Sequence, residues 1–126
     1  MAININTILT TEAGIPIPVN TMLKPKVSFG SDILNRDEDG DYDGTYVRIM
    51  KADLGWLYAS KAAYQADEYN IIGIIQDFEP TYTKVMSEQD YTDLMADGSL
   101  AEQWILADLN DILGVGICTL VDPFTI

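Results

Sequence analysis

At 126 residues, with 48% apolar side chains and a formal net charge of −13 from 20 acids and 7 bases, the chain has the size of one domain and enough apolar surface to fold around a core rather than stay disordered. The charge argues against nucleic-acid binding, which needs clustered Lys and Arg to replace counterions, and against docking on an anionic membrane. Histidine is absent and Cys118 is the single cysteine, which removes Ser-His and Cys-His nucleophile pairs, ordinary zinc sites and any intramolecular disulfide.

The stretch from Met1 to Leu9 lacks the basic segment and long apolar core of a signal peptide, and no apolar run approaches the roughly 18 residues that cross a bilayer. A soluble protein made in a cytoplasm is expected, with Cys118 as a small buried hydrophobe in a reducing compartment. Ile3 and Ile5 alternate with Asn4 and Asn6, which reads as a strand or an extended arm. Gly14 then precedes Ile15-Pro16-Ile17-Pro18-Val19. Prolines at i and i+2 remove two donors from the same side of a strand, so this segment belongs at a sheet edge or across a neighbour's surface. Residues 1–20 are therefore predicted as an extended N-terminal arm, and residues 21–126 as the folded domain. Residues 22–29 read as a strand interrupted by Pro25. Residues 31–44 carry seven charges around Gly40 and Gly44 and read as an exposed acidic loop.

Tyr46–Met50 and Trp56–Ala59 read as strands, with Asp53 to Gly55 turning between them. Ser60 is placed to cap a short helix from Lys61 to about Asp67. Ile71–Gln76 is a nearly unbroken apolar run around Gly73, the pattern of a central strand buried on both faces. Tyr82–Met86 extends the sheet. Ser87 and Asp90 approximate a capping box for a helix from Glu88 to Ala96, stopped by Gly98. Ser99 and Glu102 form a second box for a helix from Leu100 to Leu113, ended by Gly114. On that helix Ala101, Ile105, Leu109 and Ile112 share one apolar face, widened by Leu106 and Leu113. Val115–Val121 reads as the last buried strand, and Pro123 ends it. The predicted fold class is α+β, a small mixed or antiparallel sheet with two or three helices on one side and the extended N-terminal arm.

Chemistry-bearing motifs are few. Gly114-Val115-Gly116 is a helix end, not a dinucleotide fingerprint, and no phosphate-binding loop is present. The carboxylates are many, but no pair stands out for acid–base work, so a non-enzyme without a catalytic residue or resident cofactor is expected. Asp39-Gly40-Asp41-Tyr42-Asp43-Gly44 has the DxDxDG form of a calcium loop, with Asp39, Asp41 and Asp43 as candidate ligands. Met50 stands at the twelfth position, where a bidentate Glu is needed, so an EF-hand is rejected. A degenerate calcium site and a solvated acidic loop are the two readings left. Residues 1–30 hold Lys24, Lys26 and Glu12, whereas residues 85–126 hold eight acids and no base. That asymmetry reads either as solubility or as an acidic face meeting a neighbour's less acidic arm. Trp56, Tyr58 and Tyr64 cluster at a strand-to-helix junction, and Trp104 flanks the apolar helix face. Ile15, Pro16, Ile17, Pro18 and Trp104 are the candidate interface residues.

The segments Gly14-Ile15-Pro16-Ile17-Pro18-Val19-Asn20 and Gly55-Trp56-Leu57-Tyr58-Ala59-Ser60-Lys61-Ala62-Ala63-Tyr64, with a helical region near the end, follow an order that resembles small virion proteins of tailed bacteriophages. Met86 to Leu100, a Ser-led helix with Tyr91 and Leu94 followed by Gly98-Ser99-Leu100, is similar to elements of phage fibre and baseplate chains. The resemblance implies a structural tail, neck or ring protein, or a head-decoration protein. Its partners would be other copies of itself, as a homo-oligomer, and other virion proteins. It would be made in the host bacterial cytoplasm and located in the virion. No catalytic residue is carried over. The alternatives are a calcium-dependent binding module and an acidic protein-binding module.

Overall fold

The computed structural model describes residues 1–32 and 47–125. The chain runs β1 (Ala2–Ile5), β2 (Leu9–Thr10), β3 (Pro16–Ile17), β4 (Thr21–Leu23), β5 (Lys26–Asp32), β6 (Val47–Asp53), β7 (Leu57–Tyr58), α1 (Lys61–Ala66), β8 (Thr81–Met86), α2 (Glu88–Ala96), α3 (Leu100–Leu113) and β9 (Cys118–Val121). The fold is α+β, and every strand pair is antiparallel.

Among the described residues the strands divide among three sheets. The largest has the order β7-β4-β1-β9, a second has the order β5-β6-β8, and β2 and β3 form a short hairpin. Pro25, the predicted interruption, lies where the chain leaves β4 for β5 and so changes sheets. Asp53 to Gly55 does the same on the way back: Gly55 N–H and Trp56 Nε1–H donate to the two Asp53 carboxylate oxygens at 2.9 and 3.1 Å.

Side chains alternate across the four-stranded sheet. Ile3 stands opposite Leu23, and Leu23 opposite Leu57; with Ile5 and Cys118 they enter the main core, where Ile105 and Leu109 of α3 and Leu94 of α2 meet them. Ala2, Met22 and Tyr58 point the other way and pack with Tyr64 of α1. Two helices thus share one side of this sheet and α1 covers the opposite face. In the three-stranded sheet Met50 and Ala52 turn inward to the main core, with Val27 and Tyr82 packed against it. Lys51, Thr83 and Ser28 lie in register on the opposite, exposed face.

Residues 1–20, predicted as an extended arm, form β1 and the β2–β3 hairpin, which turns back on itself between Thr11 and Ile15. β1 is an interior strand between β4 and β9, and Ala2, Ile3 and Ile5 are fully buried. The alternation is that of a strand: Ile3 and Ile5 face the main core, while Ala2 and half-buried Asn4 face the other side. Ile71–Gln76 is not a central strand. Gly73 has φ +105°, which turns the chain. Ile75 makes a lone bridge to Thr11, and Ile71 and Ile74 are exposed. The last strand begins at Cys118 rather than Val115, because Gly114 (φ +131°) and Gly116 (φ +81°) fold residues 114–117 into a turn that leaves Val115 bare.

Helix ends follow local chemistry. Ser60 Oγ accepts from Ala63 N–H at 3.0 Å. Ser87 and Asp90 make a reciprocal capping box despite the shorter carboxylate. The second predicted box does not form. Ser99 is helical and caps nothing; its N–H and hydroxyl instead donate to Asp97. On α3, Ala101, Ile105 and Leu109 are buried as predicted, but Ile112 is exposed because the helix runs past the core there. Asn110 closes α3 onto β9: Cys118 N–H donates to Asn110 Oδ1 at 2.7 Å, and Asn110 Nδ2 donates to Cys118 O at 3.2 Å.

Candidate interaction surfaces

The predicted interface residues fall in different environments. The β2–β3 hairpin pairs Leu9 with Ile17 and Thr10 with Pro16. Period-2 alternation then sends Ile17 into the main core and leaves Pro16 exposed. Ile15 sits at the turn, 62% exposed, where its carbonyl accepts from Thr11 N–H and its N–H donates to Thr11 Oγ1. Pro18 is exposed. Trp104 is half-buried against the main core, with Lys84 Nζ 4.9 Å from its ring centroid. Ile17 is therefore corrected from interface to core, while Ile15, Pro16 and Pro18 are exposed.

What joins Ile15 to a larger surface is the segment that sequence reading assigned to the core. Glu12 N–H donates to Ile74 O, and Gln76 N–H to Thr10 O, at 3.0 and 2.8 Å. Thr10 N–H also donates to an Asp77 carboxylate oxygen at 2.7 Å. These bonds lay residues 74–77 along the hairpin. Ile15, Ile72 and Ile74 line one shallow hollow; Ile74, Phe78, Pro80 and Ile112 line the next; and the two share Glu12 and Ile74. Ile74 and Ile112 are 52% and 60% exposed. One signal could have revealed part of this surface: a glycine inside an apolar run.

The aromatic cluster at the β7–α1 junction is largely consumed within the chain. Tyr58 and Tyr64 meet edge-on at 4.9 Å, and Phe124 lies 6.2 Å from Tyr64. Lys24 Nζ donates to Tyr64 Oη at 2.6 Å and lies 4.8 and 4.9 Å from the Tyr64 and Phe124 ring centroids. Lys26 Nζ sits 3.2 Å from the Trp56 ring centroid. Tyr58 Oη donates to Glu68 O at 2.6 Å. Burial, then Tyr64, Glu68 and Asp67, push the Tyr58 hydroxyl above its ordinary range. Gln65 Nε2 donates to the carbonyls of Pro123 and Thr125, and Lys61 bonds Thr125, so the C-terminal segment is strapped to α1. Tyr69 and Phe124 keep their outer faces in solvent.

Burial pushes the Cys118 thiol up to about 11, so it stays protonated near neutral pH and is inert as a nucleophile. Burial, followed by a hydrogen bond to the Asp108 carboxylate, raises Tyr82. The Ser99 hydroxyl and N–H hold Asp97 below its usual range. Among the described residues no group of three or more Cys, Asp and Glu is placed to hold a metal ion; the candidate calcium ligands Asp39, Asp41 and Asp43 lie outside the described residues. Among the described residues no helix is long and apolar enough to cross a membrane. The chain matches no family model, no curated protein and no solved structure.

Proposed function

We propose that the chain is a non-enzymatic structural protein that works by assembling with further copies of itself and with other proteins of a particle, as tail, neck or ring components of tailed bacteriophages do. The observation that carries this reading is the joined apolar surface of Ile15, Ile74 and Ile112, which three separate elements bring together in solvent. Covering apolar surface contributes about 25 cal/mol per Å2, and contiguous patches of this kind mark contact sites. The particle itself is suggested by the resemblance in Gly55–Tyr64 and Met86–Leu100.

Light scattering over a concentration series tests the reading. The intact chain is expected to form oligomers, and Ile74→Asp with Ile112→Asp to weaken them while leaving the melting temperature near that of the parent. Each copy carries −13, so added salt should strengthen association by screening the mutual repulsion. An intact chain that stays monomeric at every concentration and salt level would sink the proposal. Portal, terminase or tail genes beside the coding sequence would support the phage assignment, and their absence would remove it.

A further inference from the structure

The two larger sheets treat their edges differently. In the four-stranded sheet both edges are guarded. Asn110 occupies the outer N–H and C=O of Cys118 on β9, and Ile72 N–H donates to Leu57 O on β7 at 2.8 Å. In the three-stranded sheet β5 and β8 are the edges. Among the described residues no backbone hydrogen bond reaches the outer side of either strand. Alternate residues of an edge strand direct both N–H and C=O away from their partner, so among the described residues each edge presents a row of donors and acceptors with no backbone partner.

These edges also lack the usual deterrents. Pairing of β5 with β6 runs without a bulge from Lys26↔Asp53 to Asp32↔Val47, and pairing of β6 with β8 from Arg48↔Met86 to Asp53↔Thr81. Neither edge strand contains proline. The lysines that could repel an incoming strand are drawn back onto tryptophans of the same chain, Lys26 onto Trp56 and Lys84 onto Trp104. Each edge instead exposes one large apolar side chain, Phe29 at 55% and Val85 at 49%.

We infer that the outer edge of β5 on one copy pairs with the outer edge of β8 on the next, making one continuous sheet through the assembly. This inference rests on the assembly reading and adds a second contact to the apolar surface of Ile15, Ile74 and Ile112. The occupant of each edge is fixed by its chemistry, since unpaired backbone groups are satisfied by another extended backbone. The second copy is favoured because each chain carries both halves. The strands are of matched length, seven and six residues. β5 and β8 both run antiparallel to β6 and hence parallel to each other, so a neighbour related by simple rotation brings its β5 alongside β8 in the same sense. The two surfaces differ, so the contact is heterologous and repeats as a ring or filament.

The test uses the full chain. Phe29→Lys and Val85→Lys alter half-exposed side chains and restore an edge charge. With Ile74→Asp and Ile112→Asp also present to remove the other contact, each variant alone is expected to be monomeric by light scattering, with an unchanged melting temperature. A mixture of the two should give a two-chain complex and nothing larger, because one intact β5 edge and one intact β8 edge remain between them. In the assembled parent, alternate amides of β5 and β8 should exchange at least about tenfold more slowly than in the dilute monomer. Assembly of the parent with unprotected amides, and with both variants still assembling, overturns this inference and leaves the assembly reading standing. Loss of assembly in Phe29→Lys but not in Val85→Lys would indicate β5 pairing with itself and overturns the head-to-tail contact. A parent that never assembles overturns both.

Discussion

The four-stranded and three-stranded sheets are built from one chain but serve opposite ends. In the first, both faces are covered, β1 is interior, and both edge strands are bonded by groups from outside the sheet. In the second, one face joins the core, the other carries Ser28, Lys51 and Thr83 in solvent, and among the described residues the outer strands have no backbone partner on their outer sides. A chain that guards one sheet and leaves the next open separates the surface that holds it folded from the surface available to neighbours. The separation is made at Pro25 and at the Asp53–Gly55 turn, where the backbone crosses between sheets.

The strongest way to break this contrast is to remove core side chains. Ile3→Ala or Ile105→Ala, each at a fully buried position, should cost about 2–5 kcal/mol in urea unfolding. Phe29→Ala on the open edge should cost less than about 1 kcal/mol in the dilute monomer; equal losses at the two sites would erase the distinction. Next comes the guard itself. Asn110→Ala strips Cys118 of both side-chain partners and should cost about 1–3 kcal/mol, with precipitation at high concentration as β9 becomes a bare edge. Helix caps give a smaller, internal check: Ser87→Ala should cost about 1 kcal/mol and Ser99→Ala only a few tenths, since only Ser87 caps its helix.

The finest probe is pH. The unfolded Cys118 thiol ionises near about 8.5 and the folded one at about 11. Between those values the folded chain binds more protons than the unfolded one, so stability falls as pH rises through the window. Cys118→Ala should flatten that part of the unfolding free energy against pH. A maleimide should leave the native thiol unmodified at pH about 8 and label it after unfolding.

Much of the local structure was legible in the sequence and much of the pairing was not. Ser60, Ser87 and Gly114 act within one helical turn of themselves, so the bounds of α2 and α3 follow from neighbours in sequence. Ser99 failed because Asp97, two residues earlier, competes for its hydroxyl and N–H. Ile71–Gln76 failed because an apolar run does not reveal which of its residues a positive-φ glycine turns outward. The pairing of Ala2 with Val121 joins opposite ends of the chain, and nothing in either segment names the other. The exposed surface was half seen: Ile15 was read as a contact residue, while Ile74 and Ile112 were assigned to the interior.

That Ala2–Val121 pairing has a consequence for how the protein is made. β1 is translated well before β9, one of its two flanking strands. Until β9 follows, the main core lacks Cys118, and the strap from Gln65 to Pro123 has nothing to hold. A nascent chain that stops short of β9 therefore shows Ile3 and Ile5 to chaperones and proteases, and such fragments should be degraded.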